Sequence, residues 1–215
     1  MIKLVKGQKV DLTKQSSIRT SIRLGLGWDI SKDMTPRYDL DIVALLVDDD
    51  GVVRSPEHIV FYNQLTALDG AVVLSNDNQT GAGTGDDEEL FLQLSHVPGF
   101  IDKVVAAIVV HDADERGQTF GEMKDAFVRI VNEDTKQEMY RYELGKDFAG
   151  ETAIVAGEVY RTKNGWVFSA LGKSIDGGLF SLCREYGINE LPASFFTKKE
   201  AMTKLSPLHV KKPFF

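Results

Sequence analysis

Residues 104–110 read VVAAIVV, and this run decides the fold class. It is apolar throughout, where a half-exposed strand would alternate. Such a run is expected in a central strand covered on both faces. Working outward, residues 40–47 read LDIVALLV, and further short segments rich in Val, Ile, Leu or aromatics occupy Ser21–Trp28, Ile59–Tyr62, Ala126–Val131 and Met139–Leu144. Each is a strand signal. Turn signals separate them. Asp48-Asp49-Asp50-Gly51 follows LDIVALLV, and Asn164-Gly165 lies between GEVYRTK and WVFSAL. An Asn-Gly pair between apolar runs marks a hairpin, because both corner positions of that turn need positive φ. Repeated short strands with close turns predict an all-β chain, an antiparallel β-sandwich of two sheets with few short helices. The expected helix is Leu179–Tyr186, with a short turn at Pro98–Lys103.

The 215 residues suffice for a substantial core. The expected organisation is one domain over residues 1–190 and a tail over 191–215. The tail carries Lys198, Lys199, Lys204, Lys211 and Lys212 beside the pairs Phe195-Phe196 and Phe214-Phe215. Basic and aromatic residues together would suit a partner or an anionic membrane surface. The net charge of -7 argues against a general nucleic-acid binder, which shows a basic footprint. A single cysteine, Cys183, excludes an intrachain disulfide framework and a thiolate zinc site; in GLFSLCREYGI it reads as a small buried hydrophobe. The N-terminus does not resemble a signal peptide, and no stretch approaches the roughly 18 apolar residues of a membrane helix. A soluble, cytoplasmic protein is expected.

Residues 76–89 read NDNQTGAGTGDDEE. Asp77, Asp86, Asp87, Glu88 and Glu89 crowd this window, which contains no Lys or Arg, and Gly81, Gly83 and Gly85 alternate at its centre. Two carboxylates at ~5 Å repel by about 3 kcal/mol at an effective dielectric of 20. Calcium offsets such repulsion, taking carboxylate, amide and backbone carbonyl oxygens, and glycines let the carbonyls turn toward the ion. The EF-hand pattern does not fit. With Asp77 first, Gln79 and Gly81 fall at the third and fifth positions, and Ala82 occupies the glycine position. A phosphate loop does not fit either, since no Gly-Lys-Ser/Thr ending follows and acids would repel the anion. The competing interpretation is a solvated acidic hairpin.

Other acids stand beside strand signals. Asp29 ends GLGWD, Asp39 and Asp41 belong to YDLD, and Asp112 follows VVAAIVV and His111. Asp39 and Asp41, two apart in a strand, share one face. Asn63 could add an amide oxygen. One such acid alone usually caps a turn; together they suggest a composite site at one end of a sandwich. Asp48–Asp50 is explained by its turn.

The sequence resembles the TerD family of bacterial tellurite-resistance and stress-response proteins. The matching elements are LVKGQKVDL near the start, GLGWD (25–29), YDLD (38–41), FYNQL (61–65), NDNQTGAGTGDDEEL (76–90), IVVHDA (108–113), GEVYR and GWVFSALGKSIDGGL. The match runs from residue 1 to about residue 190. The resemblance implies a two-sheet β-sandwich that binds calcium, more than one ion, through acidic loops. Carried onto this chain, the ligand regions are Asp29, Asp39, Asp41, Asp77, the backbone of Gly81, Gly83 and Gly85, Asp86, Asp87, Glu88 and Asp112. A non-enzymatic role among protein partners in a stress-response complex is expected. Two alternatives are a metal-dependent hydrolase, with His111 beside Asp112 as its one suggestive acid–base pair, and a tail that binds a partner or membrane. One cysteine and five methionines offer no cluster for reducing or sequestering tellurite, so resistance would be indirect.

Overall fold

The computed structural model describes residues 1–13, 21–30, 38–75, 85–144 and 146–189. Thirteen strands form among them: β1 (Ile2–Leu4), β2 (Lys9–Asp11), β3 (Ser21–Ile30), β4 (Leu40–Val47), β5 (Ile59–Val60), β6 (Thr66–Ala67), β7 (Val72–Leu74), β8 (Glu88–Gln93), β9 (Lys103–Val110), β10 (Met123–Asn132), β11 (Glu138–Glu143), β12 (Ala153–Thr162) and β13 (Gly165–Ile175). Two short helices join them, α1 (Ala113–Arg116) and α2 (Gly178–Glu185). The first sheet runs β1-β11-β10-β3-β8-β7-β6 and the second β2-β13-β12-β9-β4-β5. Pairing is antiparallel except for β1 on β11. The two-sheet sandwich is therefore the fold.

The continuous apolar runs occupy the middle of the second sheet, where β4 pairs β9 over their whole lengths. Leu40, Ile42, Ala44 and Leu46 of β4, with Val104, Ala106, Ile108 and Val110 of β9, face the first sheet. Val43, Leu45, Val47, Val105, Ala107 and Val109 face the other way, into a second cluster with Leu182, Cys183 and Ile188. Helix α2 thus covers the outer face of the second sheet, and both faces of β4 and β9 are dry. Cys183 lies in that cluster, where burial pushes its thiol up to about 12.

The Asn164-Gly165 signal does mark a hairpin, joining β12 to β13. Its geometry differs from the expected turn. Thr162 pairs with Gly165, so Lys163 and Asn164 are the corners, and of the Asn-Gly pair only Gly165 takes positive φ, +131°. Helix α2 lies where Leu179–Tyr186 was expected. Ile101 N–H bonds to Pro98 C=O at 3.1 Å, forming the short turn before β9. The tail over 191–215 lies outside the described residues.

Candidate metal centre

Strand β3 ends, β8 begins, β4 begins and β9 ends at one rim of the sandwich. The described candidate acids gather there in two groups on opposite faces, with Glu88 between the sheets. Asp77, Gly81 and Gly83 lie outside the described residues.

The first group lies on the outer face of the first sheet. In the register of that face, Gly25 sits between Arg129 of β10 and Glu89 of β8. Residues 85–87 run across this face. The Asp87 amide donates to Leu26 C=O at 2.7 Å, and the Trp28 amide donates to Asp87 Oδ2 at 3.0 Å. The crossing is so close that a Cβ at Gly25 would fall 2.1 Å from Asp86 Oδ2, and one at Gly27 would fall 2.9 Å from the Gly85 carbonyl oxygen. The two glycines of GLGWD therefore form the seat of the acidic loop. Asp29 is exposed at the end of the same strand. The Asp87 carboxyl is raised above its ordinary range. Burial does most of this, the Trp28 N–H opposes it, and the negative charges of Asp29 and Asp86 raise it further.

Two arginines from outside the loop enter this group. Arg129 holds Asp86 with a two-pronged contact, Nε to Oδ1 at 2.6 Å and Nη2 to Oδ2 at 3.0 Å. Arg23 pairs with Glu89, and its Nη1 lies 3.9 Å from Asp86 Oδ2. The window from 76 to 89 contains no cation, yet the neighbouring strands supply two. Sequence reasoning missed both. The available signal was a lone arginine inside each of two otherwise apolar runs, SIRLGLGW and AFVRIV, since a charge in mid-strand calls for a partner.

Glu88, 1% exposed, faces the inter-sheet space, where its Oε2 accepts a hydrogen bond from the Ile42 amide at 2.6 Å. One carboxylate thus ties β8 of the first sheet to β4 of the second.

The second group lies on the α2 side of the second sheet. Asp41 shares the Val43 face of β4, and Asp39 precedes it by two residues; both are buried. His111 Nδ1 lies 2.8 Å from Asp41 Oδ2, and its Nε2 lies 3.5 Å from Asp112 Oδ2. The closer partner of His111 is therefore Asp41, not its neighbour in sequence. The His111 amide donates to Asp39 C=O at 2.9 Å, and the Tyr62 ring meets the imidazole edge-on at 4.9 Å. Asp112 takes a left-handed conformation, φ 49°, at the start of α1, which Asp tolerates better than most residues. Asp41, His111 and Asp112 line a cleft of about 170 Å³ walled by Tyr62, Gly178 and Phe180.

The bond to Asp41 raises His111 to about 9, burial opposes this, and the charges of Asp41, Asp112 and Asp39 add to it. The ring is then protonated at neutral pH. The unfolded histidine titrates near 6.5. The contribution of this raised group is therefore full below about pH 6.5, shrinks as pH rises, and is gone above about pH 9. In calcium-free protein the loss across that window should be about 1–2 kcal/mol after allowance for solvent screening. Urea unfolding from about pH 6 to pH 9.5 should show it. A His111→Gln variant should have a flatter profile, and an equal slope in both proteins would refute the assignment.

Among the described residues, the acids whose carboxylate oxygens all lie within 4.8 Å of one another are Asp48, Asp49 and Asp50; the two rim groups are more widely spaced. Arg54 pairs with both Asp48 and Asp50 there, and Gly51 N–H bonds to Asp48 C=O at 3.0 Å. This is the turn read from the sequence.

Fold and rim together define a class: a two-sheet sandwich whose loops carry carboxylates to one end. The chain belongs to the TerD family, whose domain model matches residues 1–186. It is 50% identical over 188 residues to General stress protein 16U of Bacillus subtilis (strain 168), covering 87% of this chain and 97% of that protein. It is 43% identical to Tellurium resistance protein TerD of Serratia marcescens, covering 87% of this chain and 98% of that protein. A crystal structure from Streptomyces coelicolor A3(2), described as a homologue of telluride resistance protein (TerD), SCO6318, shares the fold. Its TM-score is 0.60 at 24% identity, covering 80% of this chain and 98% of the other.

Proposed function

We propose that this chain is a non-enzymatic calcium-binding protein of the stress response, acting through protein partners in the cytoplasm. The observation that carries the calcium reading is the gathering of Asp29, Asp86 and Asp87 over one stretch of β3. They lie close enough that the charges of Asp29 and Asp86 raise the Asp87 carboxyl. Arg129 answers Asp86, and a hard cation would offset the repulsion that Asp29 and Asp86 exert on Asp87. The donor set fits calcium, being carboxylates beside a glycine-rich backbone. Asp29 and Asp87 would hold the ion, together with groups of the 76–85 segment. Asp39, Asp41 and Asp112 form the candidate second position. Bound calcium would supply charge neutralisation and loop rigidity rather than bond chemistry.

Several features support a non-enzymatic, indirect role. In the calcium-free protein Asp41 holds the imidazole of His111 and raises it to about 9, which makes it a poor general base there. Cys183 is buried, with its thiol pushed up to about 12, so it offers no reactive thiolate to tellurite. The relatives carry stress and tellurium-resistance names. Among the described residues, no helix is long and apolar enough to cross a membrane. Isothermal calorimetry on the chelated full chain tests the reading. Saturable heat with calcium is expected, and none at millimolar calcium would count against it.

A further inference from the structure

The three consecutive acids Asp86, Asp87 and Glu88 bind three different elements. Asp86 goes to the Arg129 side chain of β10, Asp87 to the Trp28 amide of β3, and Glu88 to the Ile42 amide of β4. The Asp86 side chain is 1% exposed, and a guanidinium fork occupies both of its oxygens. The third nitrogen of the fork, Nη1, meets Glu138 Oε2 at 3.0 Å, and Glu138 also binds Arg141, so Arg129 is itself held from two sides. The register explains the placement: Arg129 stands opposite Gly25, and the side chain missing at 25 is the space the Asp86 carboxylate fills.

We propose that Asp86 anchors the acidic loop and is not a calcium ligand, and that Arg129 is the positioning residue that sets where Asp87 presents its carboxylate. The proposal rests on the calcium reading above. For Asp86 to ligate, both bonds to Arg129 would have to break, leaving the guanidinium beside a divalent ion. Asp87 accepts at Oδ2 from the Trp28 amide, a neutral donor, and a carboxylate oxygen can keep such a bond while the group also faces an ion. Groups that hold a ligand in place commonly matter by 10–100-fold in metal affinity although they never touch the metal.

Lanthanides as calcium stand-ins separate anchor from ligand. The full chain is titrated with terbium, read through sensitised emission from Trp28, and the waters on bound europium are counted from luminescence lifetimes. Asp86→Asn and Arg129→Gln should each weaken terbium binding roughly ten-fold, with the water count as in wild type. The double variant should be no weaker than either single one, because both act through one contact. Asp87→Asn should gain a water. Arg129→Lys, which keeps the charge without the fork, should recover part of the affinity. A water gained in Asp86→Asn, additive losses in the double variant, or unchanged affinity in Arg129→Gln would each overturn the proposal. Thermal melts confirm that each variant folds. Should Arg129→Gln fail to fold, the europium lifetime of Asp86→Asn decides alone. Terbium that calcium cannot displace from wild type would instead sink the calcium reading, and this proposal with it.

Discussion

In about 1 mM calcium the wild-type chain should melt some 5–10 °C above the chelated protein, and an Asp29→Asn/Asp87→Asn variant should lose most of that gap, keeping only what the second position contributes. The size follows from linkage. A site with Kd near 10⁻⁵ M gains about 2.7 kcal/mol at a hundred-fold excess of ligand. A chain of this length shifts by roughly 2–4 °C per kcal/mol. The calcium-free baseline has a direction of its own. Asp29 raises the Asp87 carboxyl by repulsion, so removing both charges should leave the chelated variant as stable as wild type or more so. The Trp28 amide keeps an acceptor in Asn. Loss of most of the calcium response together with a retained or raised baseline is specific to a cation site. A variant that melts lower in chelator has merely lost structure, and an unaltered calcium gap would exclude these two residues as ligands. Differential scanning calorimetry in calcium and in chelator gives all four values.

Gly25→Val should cost about 3–5 kcal/mol, the range for uncoupling a buried ion pair, and shift the urea midpoint by more than about 1 M. Valine ordinarily suits a strand better than glycine, so on β3 propensity alone the change should help. The conflict is local, since even a Cβ would stand 2.1 Å from Asp86 Oδ2. The carboxylate must leave, Arg129 loses its partner, and the Asp86 side chain, 1% exposed, parts from a guanidinium that is itself 22% exposed. Gly99→Ala is the matched control, because nothing lies within 4 Å of a Cβ there. A Gly25→Val protein as stable as that control would show that the loop does not need its seat.

The chain's apolar patterning made β4 and β9 legible almost to the residue, since a continuous run has few resting places other than a strand dry on both sides. The acidic window was equally plain, because five carboxylates with three glycines look like little else. What lay hidden depends on register. Alternation assigns Arg129 and Gly25 each to a face, but only strand pairing makes them neighbours. The same holds for the candidate acids. Convergence at one rim suggests a single composite site, whereas face parity on β4 sends Asp41 toward α2 while Glu88 reaches Ile42 from between the sheets. His111 beside Asp112 looked like a pair by adjacency, yet the cross-strand Asp41 is closer. Strands of three residues such as β1 and β2 carry too little pattern to be read at all.

Those short strands bear on how the molecule behaves in a crowd. The first sheet is bordered by β1 and β6 and the second by β2 and β5. At each side, then, consecutive strands step from one sheet to the other, β1 to β2 and β5 to β6. Every border is only two or three residues long. Strand β2 pairs with residues 167–169 of the eleven-residue β13, and β1 with residues 140–142 of the six-residue β11. A β-rich protein of stressed cells meets many partly unfolded neighbours, and an open ladder invites them to add a strand. Among the described residues each bordering ladder ends after two or three rungs, so the border strands themselves offer only a short template for such growth.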